Sequence, residues 1–238
     1  VKVKYIGNGS SGNSTLVVDG KDSILIDNGL PLKRVPEVNA GILISHKHSD
    51  HILGVERYFR KYGIRAIVDK GFYIEDRVKT DLQFENFREI FYIKSFKVQA
   101  FDVWHDEPCF GFIINDRYIH LTDTGHIPFT LVNHIENNPI ELLYVESNYD
   151  EDLIDASNYG PDLKARIKGK MGHLSTQHVL SFLAKNEDTL KKVKTIIVGH
   201  LSERTNNEEL LQSRIDAMES EELRAKIIIG KENTEINL

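Results

Sequence analysis

Cysteine is nearly absent from this chain: Cys109 is the only one in 238 residues. No disulfide can close within the chain, which suits a reducing, cytoplasmic setting. Its neighbours Phe110-Gly111-Phe112-Ile113 mark Cys109 as a small core residue. A run of about 18 apolar residues is also missing, so no membrane span is expected. The opening Val1-Lys2-Val3-Lys4-Tyr5-Ile6 alternates as a strand does and lacks the form of a signal peptide. Positive charge is in deficit, with a formal net charge of −6. That argues against the broad basic face with which many proteins grip nucleic acid. A nuclease stays open, because bound metal ions add positive charge where it is needed. Repeats, low-complexity tracts and linkers are absent too. Apolar content of 40% and charged content of 28% describe an ordinary soluble globule, long enough for one domain over 1–238.

Histidine, by contrast, is concentrated. His46-Lys47-His48-Ser49-Asp50-His51 follows the apolar run Gly41-Ile42-Leu43-Ile44-Ser45 and precedes Ile52-Leu53-Gly54-Val55-Glu56-Arg57-Tyr58-Phe59, which has helical spacing. Three imidazoles and a carboxylate thus crowd a strand-to-helix turn. Positions 46 and 48 share one side of an extended segment. The turn after them can aim Asp50 and His51 at the same space. Imidazole and carboxylate together suit zinc, manganese or iron, and the arrangement suits two ions better than one.

Strands are expected in the first 30 residues, broken by Gly7-Asn8-Gly9-Ser10-Ser11-Gly12-Asn13 and by an Asp19-Gly20 turn. A helix should run from the motif to about Tyr62, followed by a short strand at 64–68. The segment 71–83 reads as helical. Strands dominate 84–121, with Asn115-Asp116 as a hairpin turn. Helices are expected at 127–137, within 150–170, at 175–186 capped by Ser175 or Thr176, and at 207–219; strands at 141–146, 194–198 and 225–229. Strand-rich and helix-alternating segments mix in both halves, which suggests an α/β sandwich of two sheets with helices outside.

Three further candidates sit at strand ends: His105 after Phe101-Asp102-Val103-Trp104, Asp123 in Thr122-Asp123-Thr124-Gly125, and His200 after Ile196-Ile197-Val198-Gly199. Taken singly, each is ordinarily a turn residue. As a set with the first motif they can converge, because strand ends open onto a common edge. His120 and His178 read as packing or surface residues, and His126 adjoins the Asp123 turn.

With these motifs in place the chain resembles the metallo-β-lactamase superfamily. His46-x-His48-x-Asp50-His51, His105, Asp123 and His200 match in order, and Asp27 in Leu25-Ile26-Asp27-Asn28-Gly29 matches an acidic residue after an early strand. Gly9-Ser10-Ser11-Gly12-Asn13, Glu146-Ser147-Asn148, Leu163-Lys164-x-Arg166-Ile167, Gly172-His173-Leu174-Ser175 and His200-Leu201-Ser202 resemble the WalJ/YycJ branch in particular. Ribonuclease Z and phage anti-Pycsar phosphodiesterases are also similar. Tyr149 and Thr176 stand where the branch often has histidine and asparagine, near the expected substrate side.

The resemblance implies a four-layer αββα sandwich. His46, His48 and His105 would bind one metal, Asp50, His51 and His200 another, and Asp123 would bridge them. It implies hydrolysis of a phosphodiester by a metal-bridged hydroxide, with Asp50 orienting or deprotonating the attacking water. His173 would contact the phosphoryl oxygen or protonate the leaving group, and Glu146 would orient His173. No Gly-x-Ser-x-Gly elbow offers a protein nucleophile. Lys164, Arg166, Lys168 and Lys170 either hold flanking phosphates or form a solvated face. Ser10, Ser11 and Asn13 either approach a phosphate or form a plain strand turn.

The default substrate is a polynucleotide, as for the WalJ-like exonucleases. The acidic balance and compact length favour the alternative, a cyclic mononucleotide used in signalling. Non-phosphoryl hydrolysis of the glyoxalase II or lactonase type is a further alternative, and a non-catalytic binding protein is the third class. The resemblance also suggests a homodimer.

Overall fold

The computed structural model describes residues 1–9, 11–71 and 78–238. By contacts the chain divides into two compact units, one of residues 1–101 with 231–238 and one of residues 102–230.

In the first unit, β1 (Lys2–Gly7), β2 (Ser14–Asp19) and β3 (Asp22–Ile26) form an antiparallel meander. In β1 the alternation seen in the sequence becomes alternating burial: Val3 and Tyr5 are inside, while Lys2 and Lys4 are only partly covered. The Asp19-Gly20 turn forms as expected, with Gly20 at φ 58°. β4 (Gly41–Leu43) then joins β3 in parallel. Two short helices follow where the spacing predicts one: α1 (Ser49–Ile52) and α2 (Val55–Tyr62). Gly54 separates them. A Cβ there would lie 2.3 Å from the Leu30 carbonyl oxygen, so the chain passes too close for any side chain. β5 (Ala66–Asp69) and β6 (Leu82–Glu85) extend the sheet in parallel. The expected helix at 71–83 falls partly on residues 72–77, outside the described ones, and its end is strand β6. β7 (Phe91–Ile93) and β8 (Phe96–Val103) make a hairpin. Ile6, Leu25, Ile42, Val55, Tyr58 and Val68 belong to this unit's core.

The second unit is built on β9 (Cys109–Ile114), β10 (Tyr118–Leu121), β11 (Leu142–Glu146) and β12 (Thr195–Gly199). β9 and β10 are antiparallel, joined through Asn115 and Asp116, both at positive φ. β10, β11 and β12 run parallel in adjacent positions. β9, β10 and β11 are buried at every position and β12 at all but its first; for β10 to β12 this is the continuous burial of parallel strands covered on both faces. Cys109 is buried in β9, the core role read from its neighbours. The crossovers supply α3 (Phe129–Asn137), α4 (Glu151–Ala156), α5 (Pro161–Lys168), α6 (Thr176–Lys185), α7 (Glu187–Leu190), α8 (Glu208–Asp216) and α9 (Glu221–Arg224). α5 opens with Pro161 at its first turn, where the missing amide hydrogen costs nothing. Ser175 caps α6 by accepting from the His178 amide at 3.0 Å. β13 (Ile227–Ile229) closes this sheet beside β12. The chain then returns to the first unit as β14 (Glu235–Asn237), which pairs with β1 and was not expected from the sequence. Among the described residues no helix is long and apolar enough to cross a membrane.

Candidate functional site

Each unit gathers candidate ligands at the carboxyl ends of its parallel strands, the edge where α/β sheets hold their ligands. In the first unit, Ile26 lies opposite Leu43, so the segments leaving β3 and β4 emerge side by side. Asp27, one residue past β3, is buried and held at φ 59°, a conformation uncommon for a residue with a side chain. Its carboxylate accepts from the Ser45 amide at 2.8 Å and the Ser45 hydroxyl at 2.7 Å. The same carboxylate lies 2.7 Å from His51 Nδ1. A proton is therefore needed on Nδ1, which leaves Nε2 to present a lone pair. His51 is fully buried, and its Nε2 lies 3.6 Å from Asp50 Oδ2.

His46 is fixed in the same way: its Nδ1 lies 2.9 Å from Ser45 Oγ, and its Nε2 lies 3.1 Å from His48 Nδ1. Two ligand atoms at about 2.0–2.1 Å from one tetrahedral ion lie roughly 3.3 Å apart. The spacings at His46 and His48 and at His51 and Asp50 are of that size, so these residues fit a small divalent ion. Asn13 braces the turn. Its side chain accepts from the Gly9 amide at 2.9 Å and donates to Asp50 Oδ2 at 3.2 Å.

In the second unit the register Glu146↔Gly199 places Glu146 beside the residue before His200. The Glu146 carboxylate is fully buried and collects four donors. Oε1 accepts from the Thr124 amide at 2.8 Å and the Leu174 amide at 3.2 Å. Oε2 lies 3.0 Å from both His173 Nδ1 and His200 Nδ1. His200 Nε2 is in turn 3.7 Å from Asp123 Oδ2, again a spacing suited to a shared ion. Asp123 and His200 are both held at positive φ, 51° and 57°. With Asp27, they are three non-glycine residues in a sparsely populated conformation, all at strand-end candidate positions. His105 sets its Nδ1 3.1 Å from the Gly172 carbonyl, which fixes the tautomer that directs Nε2 away. Asp123, Glu146, His173 and His200 each offer a ligand atom within 4.8 Å of the others.

Burial alone pushes the Glu146 carboxyl up; the His173 charge and the hydrogen bonds from His173 and His200 outweigh it and hold the group at about 2. Burial lowers the His173 imidazole, but the facing Glu146 carboxylate, then Asp123 and Asp106, raise it to about 9. Burial likewise works against charge on His200, and Asp123 and Glu146 raise it.

The seven ligand candidates divide between the units: His46, His48, Asp50 and His51 in the first, His105, Asp123 and His200 in the second. Glu146 lies against His173, as the resemblance implies, and also against His200. Of the basic residues on and after α5, Lys164 donates to the Asp155 carbonyl at 2.8 Å and Lys168 pairs with the Asp155 carboxylate at 2.7 Å. Arg166 pairs with Asp106 at 3.4 Å, and Lys170 is exposed. Ser11 is exposed, and Ser10 lies outside the described residues. His120 packs as expected, stacked on Tyr144 at 4.7 Å. Tyr149 and Thr176, the two departures from the branch pattern, have interior partners. Both are buried; the Thr176 hydroxyl meets Ser147 Oγ at 2.7 Å and accepts from Asn206 at 3.1 Å. Sequence reasoning missed Ser45, which joins Asp27 to two histidines; its only signal is a hydroxyl residue between an apolar strand and the motif.

Two mixed sheets flanked by helices, with imidazole and carboxylate clusters at the ends of their parallel strands, define a metal-dependent hydrolase. A family model described as a beta-lactamase superfamily domain matches residues 22–200. The exodeoxyribonuclease WalJ of Streptococcus pneumoniae serotype 2 is 31% identical over 231 residues, covering 88% of this chain and 84% of its own. The exodeoxyribonuclease YycJ of Bacillus anthracis is 29% identical over 232 residues, covering 88% and 86%. Among solved structures, a diphosphatase of the PhnP family superposes with a TM-score of 0.70 at 15% identity, over 99% of this chain and 96% of its own. The chain belongs to the metallo-β-lactamase superfamily and has its α/β sandwich fold.

Proposed function

We propose that this protein is a cytoplasmic, metal-dependent phosphodiesterase of one domain that hydrolyses a polynucleotide from its end. Family membership supports assigning His46, His48 and His105 to one ion, Asp50, His51 and His200 to a second, and Asp123 to both. The observation that carries the reading is the hydrogen bonding of the histidines: His51, His105 and His200 each have Nδ1 against a protein oxygen, which turns Nε2 into the ligand atom. Zinc, manganese and iron all suit this donor set. Two such ions, when bound, supply a water acidic enough to attack near neutral pH and a positive field on the phosphoryl oxygens. In this reading Asp50 orients the attacking water and accepts its proton. His173 donates a proton to the leaving oxygen, and Glu146 holds His173 in place. The two exodeoxyribonuclease relatives support the polynucleotide substrate.

A cyclic mononucleotide is the second reading. It is favoured by the engagement of Lys164 and Lys168 with Asp155, which takes two of the four basic residues away from a polymer backbone.

The test is a panel of linear DNA, single-stranded RNA, cyclic mononucleotides and a thioester, with manganese or zinc and with chelator as the blank. Shortening of DNA from an end, abolished by chelator, is the expected result. Ring opening alone selects the second reading. Thioester hydrolysis alone, or no activity with either metal, overturns the phosphodiesterase assignment.

Asp27 offers a separate check. Asp27→Asn keeps the shape but weakens the demand for a proton on His51 Nδ1. Such a change beside a metal ligand typically costs about 10–100-fold in metal affinity. Competition against a chromophoric chelator should show a loss of that size. An unchanged affinity would mean that His51 does not bind metal.

A further inference from the structure

The only tryptophan of the chain is not in the core. Trp104 is 47% exposed and directly precedes His105. An indole offers a large apolar face whose exposure to water goes unused unless something covers it. The His126 ring packs against the Trp104 indole, with centroids 5.2 Å apart and planes tilted by 43°. His126 is itself exposed.

The backbone beneath the two rings is clipped together. The Trp104 carbonyl accepts from the Gly125 amide at 2.8 Å, and the Trp104 amide donates to Thr124 Oγ1 at 3.3 Å. Thr124 Oγ1 donates to the His126 carbonyl at 2.7 Å, and the Thr124 amide donates to Glu146. The two rings are thus tied through one residue to the carboxylate that orients His173 and His200. The turn at 169–170 presses on the same segment: a Cβ on Gly125 would lie 2.3 Å from the Lys170 carbonyl oxygen. The backbone of this turn thus buttresses the segment that carries His126. A braced, exposed aromatic face beside a hydrolytic cluster is one of the elements by which nucleic acid strands are held through their bases.

We propose that Trp104, backed by His126, is a stacking platform for a nucleobase of single-stranded DNA, which holds the strand next to the cluster of Asp123, His173 and His200. The proposal rests on the phosphodiesterase reading above and names one contact by which a strand end is held. Stacking reads no base identity, because every base has a π-face. The platform therefore positions the strand and sets no sequence preference.

As Trp104 is the sole tryptophan, its fluorescence reports on the platform directly. The metal-loaded protein is titrated with a phosphorothioate oligothymidylate, which resists cleavage. Saturable quenching is expected. Trp104→Ala should weaken binding of the labelled oligonucleotide by about 5- to 150-fold, the range spanned by the loss of one base–aromatic stack. Trp104→Phe should restore most of the affinity. Tyr92→Ala removes another exposed aromatic, on β7, and should change nothing. On single-stranded DNA the Trp104→Ala defect should fall on KM, and hydrolysis of bis(p-nitrophenyl) phosphate should be unaltered. Unchanged affinity in Trp104→Ala, or absence of quenching, overturns the platform while leaving DNA hydrolysis intact. Failure to hydrolyse either DNA or bis(p-nitrophenyl) phosphate overturns the underlying phosphodiesterase reading instead.

Discussion

His173→Ala is expected to lower kcat on DNA by about 10²–10⁴-fold, the usual contribution of a positioned general acid. Bound metal should stay at the wild-type level. His173 Nδ1 is engaged by Glu146 at 3.0 Å, so the other ring nitrogen is the one that can face a substrate. Burial opposes charge on this ring, and the Glu146 carboxylate overcomes it, with a titration at about 9. In the metal-free protein the ring is thus protonated at neutral pH, the form in which an acid holds its proton. His173 also sits within the cluster of Asp123, Glu146 and His200, so a ligand role is the rival. Two measurements separate them. A general acid is dispensable when the leaving group departs without a proton, so p-nitrophenyl esters should recover most of the lost rate. A ligand would instead be betrayed by lost metal, whichever ester is used.

The sequence made the local half of this arrangement legible. His46 to His51 lie within six residues, and the apolar run before them sets their place at a strand end. Asp123 and His200 were readable for the same reason, since each terminates an apolar strand. What could not be read depends on pairing between distant segments. The second role of Glu146 arises from the register of β11 on β12, which sets Glu146 opposite Gly199. Nothing within 141–146 announces it. Ser45 and Asn13 act through side-chain contacts to residues 18 and 37 positions away, Asp27 and Asp50. At the break between α1 and α2 the Gly54 amide donates to the Asn28 carbonyl at 2.8 Å and the Asp50 carbonyl accepts from the Asn13 amide at 2.7 Å, pairings that helical periodicity does not encode. Likewise, four basic residues at 164–170 read as one patch, yet Lys164 and Lys168, one helical turn apart, both turn to Asp155. Tyr149 and Thr176 were conspicuous as departures from a motif; the fold uses both as interior packing.

Glu146→Gln is expected to destabilise the metal-stripped protein by about 3 kcal/mol, because it removes the carboxylate from a buried ion pair. The pH dependence carries the argument. The folded Glu146 titrates below its ordinary 4.5, so its contribution is present above 4.5 and is lost as the pH falls toward about 2. The folded His173 titrates above its ordinary 6.5, so the contribution is complete below 6.5 and is lost as the pH rises toward about 9. The shifts describe one interaction seen from its two ends and are not summed. Wild type and variant should therefore differ most between pH 4.5 and 6.5, and the difference should shrink on either side. Urea unfolding in chelator, at several pH values across that range and up to pH 9, measures it. The substituted amide would still accept from the Thr124 and Leu174 backbone amides through its carbonyl oxygen, so those contacts survive the change. A pH-independent difference would then trace the loss to packing, and the ion pair would have no part in the stability of this edge of the sheet. A difference confined to the acidic and neutral range places the charge of the metal-stripped protein on the imidazoles that face Glu146, those of His173 and His200.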